Sequence, residues 1–359
     1  AFLLTLIQGI MFVELMIHYA DSFKPYIPIS FGILFAIEWV YFLIHGFKGN
    51  INIEILGFFL TTIGFAVAAS ATPDNMLKQL ITAVLGIAAF IVLQFVYKNM
   101  DFVMKLRYYA GAFAILILGY NLIFGVNLNG AKNWIMIGKF SFQPSEIVKF
   151  LFIFTAAATL QNLLSKRNLI LFLGFSAGCM GALVLMRDFG TCAIFFVTAM
   201  IILYMRSGDL KIVSAIAGVV AVGAVLVAKF VPYVQRRFAT YRHVWEYAGD
   251  KGYQQTRTMI AIASGALLGV GGGAGKLKYV PASDTDLVFG MICEEWGMIV
   301  GFCAVACFII FAIYSFKNVA FTNSAYFAIA ACSAAGLWLF QISLNIFGST
   351  DLLPLTGVT

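Results

Sequence analysis

Val288–Ser315 reads VFGMICEEWGMIVGFCAVACFIIFAIYS. Apart from the adjacent acids Glu294 and Glu295 the run is apolar or small. It exceeds the roughly 20 residues that a helix needs to cross the hydrocarbon of a bilayer. Working outward, similar runs occur at about 1–20, 28–46, 52–70, 77–97, 106–125, 145–164, 168–186, 191–205, 211–230 and 324–347, which makes eleven candidate spans with the first. Backbone polar groups in lipid must pair within the protein, so these spans are expected to be helices. Alternation of period two is absent, which argues against a barrel. The 359-residue chain is 62% hydrophobic and 11% charged, against about 25% charged in soluble domains. Mean hydropathy is +0.95. The expected fold class is an all-α polytopic membrane protein.

Charge orients the spans. Lys98, Lys105 and Arg107 lie in one linker, Ser165-Lys166-Arg167-Asn168 in a second, Arg206 and Lys211 in a third, and Lys317 in a fourth. All four fall on one side if the spans alternate, and the positive-inside rule makes that side the cytoplasm. Gly130–Gln143, the turn Arg187–Gly190, the stretch about 231–287 and the C-terminus are then expected outside. That long stretch carries Arg236, Arg237, Arg242, Lys251, Arg257, Lys276 and Lys278 on the side where basic residues are normally sparse. It reads either as a solvated loop or as a surface for an anion such as a diphosphate. The six cysteines are scattered without a C-x-x-C pair, and the three histidines are far apart, so neither a disulfide framework nor a metal cluster is expected. The chain starts with Ala, so trimming is expected, and no basic region or small-residue cleavage site marks a signal peptide.

Charged groups in or beside spans are costly and usually functional. Gly130-Ala131-Lys132-Asn133-Trp134-Ile135 is followed by Gln143-Pro144-Ser145-Glu146-Ile147-Val148-Lys149. Ser145 is placed to N-cap the next helix. Glu146 and Lys149 share a helical face at i,i+3, as a packing ion pair or as the lining of an outward polar cavity. Arg187-Asp188-Phe189-Gly190-Thr191 is either a plain hairpin turn or a site where Asp188 holds a cation or orients a basic group. Gly269-Val270-Gly271-Gly272-Gly273-Ala274-Gly275-Lys276 resembles a phosphate loop only superficially. Val270 stands where that loop needs Gly, and Leu277 where it needs Ser or Thr, so nucleotide binding is rejected and a tight re-entrant path is expected. Tyr279-Val280-Pro281-Ala282-Ser283-Asp284-Thr285-Asp286 runs into the Glu294-Glu295 span. Asp286 there is a helix cap or, if burial lifts its pKa, a general base.

In this order the motifs G-A-K-N-W-I, Q-P-S-E-x-x-K, D-F-G-T, G-Y-Q, the Gly-rich piece, P-x-x-x-T-D and E-E-x-G resemble the series of the SEDS family (RodA, FtsW and the sporulation homologue). Asn345, Gly348 and Leu353-Pro354-Leu355-Thr356-Gly357 fit as well, and the resemblance covers about 50–359. It implies a bundle of about ten spans with an outward active site. Residues 1–46 add two N-terminal spans, and the chain stops where the family continues into one more, so a truncated or disordered end is expected. The family usually has Glu and His in its P-E-x-H-T-D motif, two arginines in G-A-R-R-W-I, and Gln-Pro before D-F-G-T. Here stand Ala282 and Asp284, Lys132 and Asn133, and Met186 and Arg187.

The resemblance implies a glycosyltransferase that polymerises lipid II, a disaccharide-pentapeptide on undecaprenyl diphosphate, into glycan strands at the outer face of the bacterial cytoplasmic membrane. Asp286 corresponds to the family's essential aspartate and is the expected base. Lys132, Glu146, Lys149, Arg242, Arg257 and Lys276 are the expected substrate and diphosphate ligands, supported by Trp134, Gln143, Ser145, Asp188, Asp284 and Thr285. A divalent cation, Mg2+ or Mn2+, is a candidate, with no ligands assignable from the sequence. No organic cofactor and no nucleic-acid partner are expected. Besides membrane lipid, the implied partner is a class B penicillin-binding transpeptidase. A lipid II flippase and a non-catalytic scaffold of a cell-wall synthase remain open.

Overall fold

The computed structural model describes residues 2–22, 24–46, 51–128, 131–138, 140–161, 165–319, 321–355 and 357. Gly130 and, in the C-terminal stretch, Thr356, Val358 and Thr359 lie outside them, as does the side chain of Arg236. The eleven expected spans are all helices: α1 (Phe2–His18), α2 (Tyr26–His45), α3 (Asn52–Ala71), α4 (Met76–Val96), α5 (Met100–Phe124), α6 (Pro144–Leu160), α7 (Lys166–Leu185), α8 (Phe189–Ser207), α9 (Leu210–Phe230), α12 (Val288–Val319) and α13 (Ala325–Ser349). Two more, α10 (Pro232–Thr240) and α11 (Tyr253–Gly265), fold within the stretch read only as a loop. The chain is thus a multi-pass helical membrane protein.

Helix ends fall where the sequence supplies caps. Asn99 accepts from Phe102 N–H before α5, Ser165 from Asn168 N–H before α7, Asp188 from Thr191 N–H before α8 and Asp209 from Lys211 N–H before α9. Gly208 closes α8 in the left-handed region. The cap expected at Ser145 is corrected. Pro144, with its preset φ, takes the first helical position, so the N-cap falls two residues earlier, at Gln143. Ser145 is buried in the first turn, and its hydroxyl has no hydrogen-bond partner among the described residues.

Lipid tails are as apolar as the side chains, so close packing holds such helices together. Small residues serve this in α6 (Thr155-Ala156-Ala157-Ala158-Thr159) and in α13 (Ala330 to Gly336), which pack on each other. A Cβ added at Gly111 of α5 would lie 3.0 Å from Thr155 Cγ2. One apolar core joins α5 to α8 and α13. A second joins α1, α2 and α3 to α12 and to the chain just before it, through Met11, Leu15, Phe65, Leu277, Leu287 and Met291.

Two features lay beyond the apolar pattern. Residues after α5 form an antiparallel sheet of β1 (Val126–Leu128), β2 (Ala131–Ile137) and β3 (Phe140–Phe142), with Val126 opposite Trp134 and Ile135 opposite Phe142. The long α12 is broken at Gly297 (φ 81°, ψ 164°). The Gly-rich chain enters this break. Val270 and Gly271 N–H groups donate to Glu294 and Glu295 carbonyls, and Met298 and Ile299 N–H groups to Ala266 and Leu267 carbonyls. The expected re-entrant path is therefore paired to an unwound turn of a span, which satisfies both.

Candidate active site

Arg187 and Asp188 organise the site. Arg187 N–H donates to Val184 O and Asp188 N–H to Leu183 O, the double closure that ends a helix through a left-handed residue. That residue is Arg187 (φ 62°), where glycine is usual. The turn presents Asp188, 6% exposed, to three donors. Oδ1 accepts from Thr191 N–H at 3.1 Å, and Oδ2 from Asn133 Nδ2 at 2.9 Å and Gln143 Nε2 at 3.1 Å. Lys132 N–H also donates to Met186 O. Three separate motifs thus meet on one carboxylate, which orients two amides rather than a basic group.

Asp286 is held by a second left-handed turn. Ala282 (φ 60°) offers its carbonyl to the N–H groups of Thr285, Asp286 and Leu287. Asn345 Nδ2 reaches Asp286 O, and Gln254 Nε2 reaches Pro281 O. Non-glycine residues rarely occupy this region, and such positions cluster at functional sites. Burial pushes the Asp286 carboxyl above the ordinary carboxylate range, and neighbouring Asp284 adds to this, while Thr285 and the Arg237 guanidinium oppose it. A Cβ placed on Gly357 would sit 3.6 Å from Asp286 Oδ2 and 3.9 Å from Arg237 Nη2, so the two side chains converge on one point.

Both aspartates line one cavity of 610 Å3. Its wall draws Asn133 and Trp134 from β2, Gln143 before α6, Arg187 and Asp188 from the turn before α8, and Phe189 and Gly190 from its first turn. It draws Val234, Arg237 and Phe238 from α10, Gln254 from α11, Pro281, Ala282, Thr285 and Asp286 from the Asp turn, and Leu353 to Leu355 and Gly357 from the C-terminal stretch. Of the expected residues, Asp286, Trp134, Gln143, Asp188 and Thr285 come together here. Lys149 is buried in α6, 2.7 Å from Glu146 Oε2 and 2.8 Å from Gln341 Oε1. Lys132 donates through Nζ to Ile123 O. Arg242, Arg257, Lys276 and Asp284 have exposed side chains, with Arg242 and Arg257 over the rings of Tyr241 and Tyr253. None of Lys132, Glu146, Lys149, Arg242, Arg257, Lys276 and Asp284 lines the cavity. Its wall holds Arg187 and Arg237 instead. The basic run in the sequence contained Arg237, but only the helix α10 would have singled it out.

Fold and cavity together define a polytopic membrane protein with a carboxylate-bearing chamber at one end of its bundle. The FtsW–RodA–SpoVE family model, described as cell cycle protein, matches residues 46–359, and the chain belongs to this family. It is 32% identical over 258 residues to a probable peptidoglycan glycosyltransferase FtsW of Coxiella burnetii, covering 69% of each chain. It is 30% identical over 311 residues to that of Pseudomonas fluorescens, covering 82% of this chain and 75% of the relative. Among solved structures, a chain of a peptidoglycan synthase complex that coordinates polymerization and crosslinking superimposes with a TM-score of 0.71 at 21% identity. The match covers 87% of this chain and 90% of that one. Thermus thermophilus RodA gives 0.63 at 20% identity, covering 87% and 88%.

Proposed function

We propose that this chain is a peptidoglycan glycosyltransferase that extends glycan strands from lipid II. The observation that carries the reading is the Asp286 carboxyl, raised in pKa by burial, in a cavity whose wall also holds two arginines. A sugar hydroxyl attacks the anomeric carbon of a second lipid-linked glycan. The new C–O bond forms as the bond to diphosphate breaks, undecaprenyl diphosphate leaves, and the hydroxyl proton passes to Asp286. Arg237 and Arg187 are placed to stabilise the departing diphosphate. Trp134 offers an apolar face for the sugar.

The cavity is proposed to open outward. Lys98 and Lys105 flank the start of α5, whereas the sheet that walls the cavity follows its end. The positive-inside rule puts those lysines in the cytoplasm. Among the described residues no three metal-ligating side chains gather. A divalent cation, where one is used, would be held chiefly by the substrate's diphosphate oxygens, as Mg2+ commonly is, which leaves the Asp286 carboxylate free to take the proton. Such an ion would neutralise charge on the leaving group. A class B penicillin-binding transpeptidase is the proposed partner.

The test is glycan-strand synthesis from labelled lipid II by the purified chain with its cognate transpeptidase and Mg2+. Polymer made by wild type and lost in a folded Asp286→Ala variant is expected. No polymer from either, with lipid II still bound, would overturn the polymerase reading in favour of a flippase or scaffold.

A further inference from the structure

The helices α1 and α2 lie outside the family-matched residues, yet α1 reaches the loop that carries Asp286. We propose that Glu14 and His18 are positioning residues, and that the N-terminal helix pair is a clamp, built into the chain, on the Gly-rich segment behind the catalytic turn.

The clamp has an anchor and a tip. At the anchor, buried Gln8 of α1 donates to Glu38 of α2 and, at 2.9 Å, to Thr62 of α3, which fixes α1 by polar contacts that apolar lipid cannot replace. At the tip, Glu14 Oε2 accepts from Gly272 N–H at 3.2 Å. His18 lies across Gly273, where a Cβ would fall 2.6 Å from His18 Cδ2, and its Nε2 is 3.4 Å from Lys278 Nζ. Lys278 in turn donates to Gly273 O. Tyr19 reaches Ala69 and Ser70 carbonyls at 3.3 Å, and Ser70 donates to Glu295, which also accepts from Gly273 N–H. The loop is thus gripped from both sides, by α12 through Glu295 and by α1 through Glu14 and His18. Leu15 and Tyr19 share a core with Leu277, Val280 and Leu287, so the grip continues to the residue next to Asp286. Neither Glu14 nor His18 lines the cavity.

The test compares wild type with Glu14→Leu, Glu14→Gln and His18→Ala in the full chain with its transpeptidase. Leucine keeps the bulk of Glu14 and suits a span, but accepts no hydrogen bond. Glutamine keeps an acceptor oxygen. Amide exchange across residues 269–287 is expected to quicken on the order of tenfold in Glu14→Leu, and to return towards wild type in Glu14→Gln. Exchange in α6 and α8 stays unchanged. In polymerisation the expected signature is a lower kcat with the KM for lipid II held, because the chamber wall is untouched. The kinetic arm rests on the polymerase reading. The exchange arm does not, so an inactive wild type would sink that reading and still decide this one. Wild-type exchange over 269–287 in both Glu14→Leu and His18→Ala would overturn the clamp. So would a raised KM at constant kcat.

Discussion

Replacing Asp188 by alanine tests whether this carboxylate is the hub of the chamber or part of its chemistry. The substitution removes the acceptor for Asn133, Gln143 and Thr191 N–H together. Asn133 is buried in the cavity wall, so its amide loses its partner with little room to rehydrate, at about 1–3 kcal/mol. The lost N-cap of α8 costs about 1 kcal/mol more. Gln143 is only half-buried and can rehydrate. Taken together these give an expected destabilisation of about 2–4 kcal/mol. Asp188→Asn keeps the cap through Oδ1 but turns an NH2 towards two amide donors. Rotation of either amide restores one bond, so about 1 kcal/mol is expected. Unfolding in mixed micelles titrated with SDS measures both, and lipid II polymerisation runs beside it. Folded Asp188→Asn is expected to keep slowed turnover. An Asp188→Ala protein as stable as wild type would refute the hub. A folded Asp188→Asn protein as inactive as an Asp286 variant would refute its separation from the chemistry.

Asp286→Asn is expected to lower polymerisation by about 10²–10⁴-fold with lipid II binding retained, and loss of binding instead would point to a substrate ligand. Because the base form is the carboxylate and burial raises its pKa, the rate should fall with decreasing pH at a pH above the ordinary aspartate value of about 3.9. Arg237→Gln removes a cation that favours the carboxylate and should move this acid limb to higher pH, whereas Asp284→Asn removes an opposing anion and should move it lower. Initial rates against pH check both, and equal limbs in the two variants would exclude Asp286 as the titrating group. Gly269→Ala places a Cβ 2.2 Å from Glu295 O at φ 86°, so loss of at least about 1–3 kcal/mol in SDS unfolding is expected. Wild-type stability there would contradict the pairing of the re-entrant chain with α12.

The spans were legible because each is a run of apolar residues long enough to cross lipid, a property of composition rather than of contacts. The charges beside them were legible as costly, yet their partners were not. Lys149 and Arg237 look alike in a sequence, but one lies inside α6 facing Glu146 and Gln341 and the other on a short helix facing the chamber. The helix α10 escaped notice because its sequence PYVQRRFAT has no long apolar run. The sheet escaped because its strands are short and packed at the end of the bundle. The aspartate turn was legible as a helix entrance. Its geometry was not, because Ala282 gives no signal that it adopts a positive φ. The meeting of Asn133, Gln143 and Asp188 needed the three-dimensional fold, since their motifs are joined only by the turn at Arg187.

The break in α12 explains how the loop that carries Asp286 is held in place. At Gly297 the helix releases the carbonyls of Glu294 and Glu295 and the N–H groups of Met298 and Ile299, and the chain at 266–271 takes up all four. Orphaned in hydrocarbon, each such group would cost several kcal/mol, so neither segment can leave without penalising the other. The same turn of helix then reaches out with its side chains. Glu294 accepts from Lys276 and Leu277 N–H at 2.9 Å each, and Glu295 accepts from Gly273 N–H at 2.9 Å. A Cβ at Gly275 would lie 2.7 Å from Glu294 Oε2, which is why the chain approaches there as glycine. From Leu277 only the short turn about Ala282 remains before α12 begins at Val288. Both ends of that turn are fixed to one helix, and its interior is closed by the Ala282 carbonyl. The turn that carries Asp286 is thereby tied to a rigid element, which is what the proposed proton transfer to it would require.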